Sequence, residues 1–524
     1  MSQDSPARVL RIGLDVGGTH TDAAVIDSHD KVVAWSKQHT TADVSSGVEK
    51  ALDDVLEQLA DDARHVGFVM LGTTHGINAI LERRGLARTA VIRLGAPATR
   101  SIPPLTPWPR DLVDRAVVAR AILDGGQYVD GRPIAGLQTA QVREFLAPLA
   151  GRVDAVAITG VFSPAYRDQE IEAGEIAKDV LGPSVGVSLS HEIGSLGLLA
   201  RENATALNAA LHHVATEVAS SLQSTLRNRG IDAPTFFAQN DGTLMGLEQA
   251  TRFPVLTIGS GPANSIRGAA FLTGLDNALI ADVGGTSTDF GVLLDGFPRE
   301  ASMGAELAGV KTNFRMPDVL SVGLGGGTVV HDDGADVRVG PESLGYRVAA
   351  DGLVFGGDVP TLTDAVVAGG RGSIGTHVVA ASHEPMLRRA LAVADERIAD
   401  AVESMNLARE ITSLVVVGGG SALIDESYPR LPKVIRPRHG SVANAVGVAI
   451  APVSSRWDTV VPAGRDRRRA ISEASDIAAS RAIQAGADPS RVDIVEITET
   501  PVGYLPEPAT RLQVRAAGPL GRMQ

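Results

Sequence analysis

Two eight-residue stretches carry the densest chemistry in the chain. Asp15-Val-Gly-Gly-Thr-His-Thr-Asp22 and Asp282-Val-Gly-Gly-Thr-Ser-Thr-Asp289 agree at seven of eight positions and lie 267 residues apart. Each combines an Asp, a Gly-Gly turn, Thr hydroxyls and a second Asp. Glycines are expected here because they tolerate positive φ at the tight reversal; the backbone N–H groups they leave uncovered can cradle phosphate oxygens, and a neighbouring hydroxyl adds a donor. Carboxylates at the lip of such a turn suit Mg2+, which takes oxygen ligands and keeps its waters. One Gly-Gly turn alone reads as an ordinary β-hairpin. Two matching copies, acidic at both ends, point instead to one phosphate-bearing ligand gripped from two sides. The expected phosphate contacts are Gly17, Gly18 and Thr19 in the first copy, and Gly284, Gly285, Thr286 and Ser287 in the second. Asp15 and Asp282 are the expected metal-positioning pair.

Other segments add to this set. Leu414-Val-Val-Val-Gly-Gly-Gly-Ser421 reads as a buried strand ending in a glycine run, where Gly418, Gly419 and Gly420 would let a purine or ribose approach the backbone. Gly259–Ala270 and Ala443–Ile450 are small-residue helical patterns, suited to a close helix crossing where two lobes hinge. Thr73, Thr74, His75 and Asn78 lie at a strand-to-helix junction; this is either an anion or substrate contact or a Thr-capped helix start. Gly323-Leu-Gly-Gly-Gly-Thr328 follows an apolar stretch. Gly370-Arg-Gly-Ser-Ile-Gly375 fits a G-x-G-x-x-G string but lacks a βαβ setting and reads as a loop. His212-His213 falls in a helical pattern, where adjacent residues do not share a face, so no metal site is expected there.

The elements that must position these residues alternate. Residues 47–60 carry a helical apolar stripe, and residues 66–71, 89–94 and 153–158 read as strands. The Pro-rich stretch 97–109 is a loop, and residues 195–227 form one long Ala/Leu-rich helical pattern. The alternation predicts an α/β fold, and the long-range repeat predicts two domain-sized halves sharing one ancestral unit. Domains are expected at 1–190, 191–452 and, after a shift in composition, 453–524. With 524 residues, 44% hydrophobic and 21% charged, the chain is globular in composition. Its net charge of −13 is spread without long runs, so no nucleic-acid or membrane-surface partner is expected. The absence of cysteine excludes disulfides, a thiolate nucleophile and Cys-ligated zinc. The N-terminal residues lack a signal-peptide pattern and no apolar run is long enough to span a bilayer, so a cytoplasmic location is expected.

The ordered set of hairpin, helix, hairpin, glycine-ended strand and helix resembles the superfamily of actin, sugar kinases and the large heat-shock chaperones. Within it, the sequence resembles the hydantoinase A/5-oxoprolinase family. The resemblance is carried by Gly17–Asp22, Gly72–Gly85, Gln239–Thr243, Gly259–Ala263, Asp282–Asp289 and Val339–Ser343. It implies a two-lobed fold with a duplicated core and Mg-ATP in a central cleft. Asp15, Asp282 and Asp289 would position Mg2+ and its waters, Thr73, Thr74, His75 and Asn78 would meet the substrate, and Gly323–Thr328 would lie near the active cleft. The implied activity is ATP-dependent opening of a cyclic amide, such as a hydantoin, 5-oxoproline or a related lactam. Two other readings are an ATP-dependent ketone carboxylase subunit and a non-catalytic ATPase activator of a partner enzyme. A second, hydantoinase B-like or neighbouring subunit is the implied partner; self-association is left open. His20 stands where the family usually has an aromatic residue, and Leu344–Asp351 replaces a Pro/Cys-containing stretch.

Overall fold

The structure, a computed structural model, describes residues 9–39, 44–301, 304, 306–334, 336–406, 411–462, 466–502 and 508–521. Two sheets repeat one design. In the first lobe, β1 (Leu10–Val16), β2 (His20–Ile26) and β3 (Val32–His39) form an antiparallel meander, joined by β4 (Val66–Thr73) and β5 (Thr235–Ala238). In the second, β7 (Ala278–Val283), β8 (Thr288–Leu294) and β9 (Phe297–Pro298) form the meander, joined by β10 (Ser413–Val417) and β11 (Lys433–Ile435). The strand orders are β3-β2-β1-β4-β5 and β9-β8-β7-β10-β11. In both, the fourth strand runs parallel to the first and the fifth runs parallel to the fourth. The duplicated α/β core therefore extends well beyond the repeated octapeptides.

The first sheet grows further. Beyond β5 come β6 (Leu244–Gly246), β12 (Val453–Pro462), β14 (Ala509–Gly518) and, at the edge, β13 (Asp493–Val502). This nine-stranded sheet draws strands from both sides of the boundaries expected at 190 and 452, and the C-terminal strands extend the first lobe. Apolar residues explain the pairing. β1 and β2 bury Leu10, Ile12, Leu14, Ala23 and Val25, and helix Val44–Leu59 lays Val48, Leu52, Val55 and Leu59 on that face. Between β4 and β5 sits a separate parallel sheet ordered Val117–Asp124, Thr89–Ala96, Ala155–Gly160 and Gly186–Leu189. The long helical pattern expected over 195–227 is two helices, Leu198–Ala210 and His212–Asn228, divided at Leu211. The first of them buries Arg201 through Ala210 throughout. Its Glu202 pairs with Arg93 at 2.6 Å, and the second helix is largely amphipathic. The change in environment, which the Ala/Leu composition does not reveal, accompanies the break.

The two small-residue patterns are helices, Ser260–Thr273 and Ala443–Ile450, and they pack against each other. Their contact is backbone to backbone. A Cβ on Gly268 would overlap the Ala443 carbonyl, and one on Gly447 would overlap the Asn264 carbonyl. Only glycine permits this approach. The second helix also lies on β1, where a Cβ at Gly13 would overlap the Ala445 carbonyl. These connecting helices thus lie between the two sheets, directly beneath both hairpins. No helix among the described residues is long and apolar enough to cross a membrane.

Candidate active site

Each hairpin closes in the same way. Gly17 N–H donates to the His20 carbonyl at 2.9 Å, and Gly284 N–H donates to the Ser287 carbonyl at 2.9 Å. The four hairpin glycines do not need left-handed backbone, contrary to the expectation that positive φ would place them there. A Cβ on Gly17 or Gly284 would press on the carbonyl that closes its turn, at 3.1 and 3.2 Å. A Cβ on Gly18 would meet nothing within 4 Å, and one on Gly285 would lie 3.3 Å from the Thr19 methyl. The last figure also places the two turns against one another across the cleft. Thr19, Gly284, Gly285, Thr286 and Ser287 are therefore gathered at one place from two lobes.

The register sets the acids in facing pairs, Asp15 opposite Asp22 and Asp282 opposite Asp289. Asp15 is 4% exposed. It accepts hydrogen bonds from Asn264 at 3.2 Å and from Asn444 at 3.4 Å, one amide from each connecting helix. Gly72 on β4 leaves the room: a Cβ there would collide with both Asp15 and Asn264. Burial, then Asp22, push the Asp15 carboxyl up to about 7, with Asp282 adding to the rise and the two amides opposing it. Burial raises Asp22 to about 6 although Lys37 opposes it, and raises Asp289 to about 6 against a hydrogen bond from Ser321. Asp282 is raised by burial, with Ser265, Lys37 and Asn444 opposing.

Four carboxylates from two lobes thus feel one another, with Lys37 the nearby ammonium on Asp22. Buried charge of one sign is costly unless a counter-charge joins it. The donor set fits a divalent cation that keeps its waters. Among the described residues, no three acidic or histidine side chains converge as direct ligands.

Beside the second hairpin lie the expected glycine segments. Gly326 N–H donates to the Gly284 carbonyl at 3.0 Å and Gly327 N–H to the Gly285 carbonyl at 2.7 Å, so residues 323–328 line the turn. The 418–420 run follows β10, with Gly418 at φ +86° where a Cβ would strike Asp282. Gly420 N–H donates to the Val283 carbonyl at 2.9 Å. The 370–375 string is a loop, and its Arg371 pairs with Asp395 at 2.6 Å. His213 stands 3.3 Å from Asp154, away from the cleft residues.

The junction after β4 is docked onto the first hairpin. Thr74 donates its N–H and hydroxyl to the Val16 carbonyl at 3.1 and 3.0 Å. Thr73 hydrogen-bonds to His75, whose pKa is lowered by burial. Asn78 reaches the Thr74 hydroxyl at 3.5 Å, a marginal contact. Thr74, although it occupies the cap position, makes no side-chain cap to the helix His75–Glu82. Thr73 and His75 line a small, mostly apolar pocket of about 20 Å3 with Gly76, Leu211, Val214 and Phe237.

Asn264, Asn444, Lys37, Ser321 and the role of Asp22 were not singled out from the sequence. A signal existed for the two asparagines, each a lone amide in a small-residue helix. Lys37 and Ser321 carry no local pattern.

Two sequence models bear on kinship: the hydantoinase/oxoprolinase N-terminal region matches residues 11–181, and hydantoinase/oxoprolinase matches residues 201–372. The chain belongs to the hydantoinase/oxoprolinase family. Among curated relatives, the caprolactamase subunit alpha of Pseudomonas jessenii is 28% identical over 380 residues, 68% of this chain and 54% of that protein. The acetophenone carboxylase gamma subunit of Aromatoleum aromaticum is 27% identical over 392 residues, 68% of this chain and 52% of that protein. The chain spans about half the length of these two relatives. The crystal structure of ATP-dependent caprolactamase from Pseudomonas jessenii superposes with a TM-score of 0.72 at 19% identity, covering 98% of this chain and 88% of that one. That likeness establishes a shared fold for this hydantoinase/oxoprolinase family member.

Proposed function

We propose that the chain is the nucleotide-binding part of an ATP-dependent cyclic amidase that opens a lactam or hydantoin ring. One observation carries the reading: two matched hairpins, each with an open turn and a buried acid pair, face each other over connecting helices. Family membership and the likeness to a caprolactamase subunit support it. An unstrained lactam resists water because its amide is a poor electrophile. Transfer of the γ-phosphoryl group to the amide oxygen makes the ring carbon attackable. Water adds there, the C–N bond breaks as nitrogen takes a proton, and a second water releases phosphate. Ring, ATP and two waters thereby give the open amino acid, ADP and phosphate.

The chain's own groups would do the positioning. Gly17 and Gly284, whose N–H groups close the two turns, would present the N–H groups of Gly18 and Gly285 to phosphate oxygens, together with the Thr19, Thr286 and Ser287 hydroxyls. Gly418–Gly420 would lie against the nucleoside, and Thr73, Thr74, His75 and Asn78 would face the ring. Asn264 and Asn444 orient Asp15, so that Asp15 and Asp282 with Asp289 would hold Mg2+ and its waters. Mg2+ would supply charge neutralisation of the phosphates during transfer. Alignment and electrostatics would lower the barrier without a covalent enzyme intermediate.

Phosphate release from Mg-ATP with a panel of lactams and hydantoins tests the reading, with product amino acid measured alongside. Ring-dependent release is expected, weak for this chain alone and strong once a second subunit is added. Full turnover by the chain alone would remove the need for that subunit. The relationship to a carboxylase subunit favours one second reading, activation of a ketone for carboxylation. Release that requires bicarbonate and a ketone would select it; ATP turnover indifferent to every ring and ketone would leave a switch.

A further inference from the structure

Lys37 lies near the end of β3, opposite Asp22 in the β2–β3 register. Its ammonium donates to the two Asp22 oxygens at 2.8 and 2.9 Å and to the Ser441 carbonyl at 3.1 Å. Its Cε lies against Gly419, where an added Cβ would come within 3.2 Å. A single side chain thus touches the far acid of the first hairpin, the turn that leads into the second connecting helix, and the glycine run after β10. These belong to the first lobe, the joint and the second lobe. A lysine serving only to neutralise Asp22 would need neither of the last two contacts. The helical turn Gly440–Val442 also holds the glycine run directly, since Gly418 N–H donates to the Gly440 carbonyl at 3.0 Å. Lys37 therefore binds a turn that leads into the second connecting helix and also holds the glycine run.

We infer that Lys37 is a positioning residue of the cleft: it ties the first hairpin to the glycine run and to the second connecting helix, setting the spacing at which the two lobes meet a nucleotide. The inference rests on the reading of the cleft as a Mg-ATP site. Lys37 acts here through Asp22, Ser441 and Gly419, with the ammonium required at a set distance from all three. Arginine keeps the charge but is bulkier and planar, so it matches this arrangement only in part.

The test is calorimetric binding of Mg-ATP, with melting temperature measured on the same samples. Lys37→Met should weaken binding by about tenfold or more, and Lys37→Arg should fall between it and the wild type. Lys37→Met leaves Asp22 as a buried, unpaired charge and can lower folding yield for that reason alone. The deciding comparison is Asp22→Asn against Asp22→Asn/Lys37→Met, since the buried carboxylate is absent from both. The double variant should bind Mg-ATP about fivefold or more weakly than Asp22→Asn, at a similar melting temperature. Equal affinities for these two variants would overturn the positioning role while leaving the Mg-ATP reading intact. Failure of the wild type to bind Mg-ATP would instead remove the nucleotide reading, and the role of Lys37 with it.

Discussion

The two hairpins share a backbone and differ in what stands beside the far acid. Asp22 faces Lys37 across the β2–β3 ladder, whereas Asp289, its counterpart, faces Ser321 of strand Val319–Val322. One far acid is ion-paired at 2.8 Å; the other accepts a hydroxyl. His20 and His39 stack at 4.7 Å beyond the Asp22–Lys37 pair, and Ser287 occupies the equivalent of His20 in the second hairpin. A duplicated turn thus reproduces the donors for phosphate, while the neighbouring strand decides the local charge. The near acids look to the connecting helices instead: Asp15 accepts from Asn264 and Asn444, and Ser265 and Asn444 oppose the rise of the Asp282 pKa, which makes these two acids the more symmetric part of the site. Symmetric and asymmetric parts should respond differently to substitution.

The largest effect is expected at the symmetric pair. Asp15→Asn and Asp282→Asn are nearly isosteric and should each lower ring-dependent ATP turnover about 10²–10³-fold, or about 3–4 kcal/mol in the transition state. Turnover above roughly half of wild type in either variant would remove that aspartate from the metal-positioning role. Equal losses would support the symmetry; a large loss at one alone would break it.

The hinge comes next. Gly268→Val and Gly447→Val each place side-chain atoms where a carbonyl of the other connecting helix already lies. Overpacking of this kind costs about 1–3 kcal/mol, and the helices can relieve it only by moving apart. Scattering profiles with and without Mg-ATP should differ for the wild type and converge in these variants. Identical wild-type profiles at saturation would count against closure.

The repeat was legible because a phosphate-binding turn is local: Asp15–Asp22 and Asp282–Asp289 carry their function within eight residues. The connecting helices were legible for a related reason, since a close crossing leaves small residues in one stretch. Lys37 and Ser321 were not, because each meets its acid only after a third strand pairs, and nothing in their own segments requires it. The sheet shows the same limit. β12, β13 and β14 read as a separate C-terminal unit, yet Leu244 pairs with Val453 and joins them to the first lobe. The φ values of the hairpin glycines were misjudged because an exposed, open turn and a left-handed one select the same residue.

The acids also make opposed predictions for stability and activity. Asp15 has a folded pKa of about 7 against 3.8 for an ordinary aspartate, so its folding contribution is fully present below 3.8 and is lost as pH rises through 7. Asp22 and Asp289, at about 6, act in the same direction. The ligand-free protein should therefore melt progressively lower between about pH 4 and pH 7 and level off above that. Asp15→Asn should flatten this slope and gain on the order of 1–4 kcal/mol at pH 8 while losing turnover. A slope unchanged in Asp15→Asn would place the titration elsewhere.

The smallest effect separates the two far acids. Ser321→Ala removes the hydroxyl that holds Asp289 down, a hydrogen bond to a charged group worth about 1 kcal/mol or a little more. Asp289 should then rise from about 6, and less of it will be ionised at neutral pH. The acid limb of the kcat profile should move up by roughly 0.7–1 pH unit, with turnover at pH 8.5 nearly unchanged. The corresponding change in the first hairpin, Lys37→Met, should depress nucleotide binding at every pH, because there the partner also holds the glycine run and the helix turn. An acid limb that stays in place in Ser321→Ala would mean that ionised Asp289 is not needed for turnover. The second hairpin would then contribute Asp282 and its backbone donors alone.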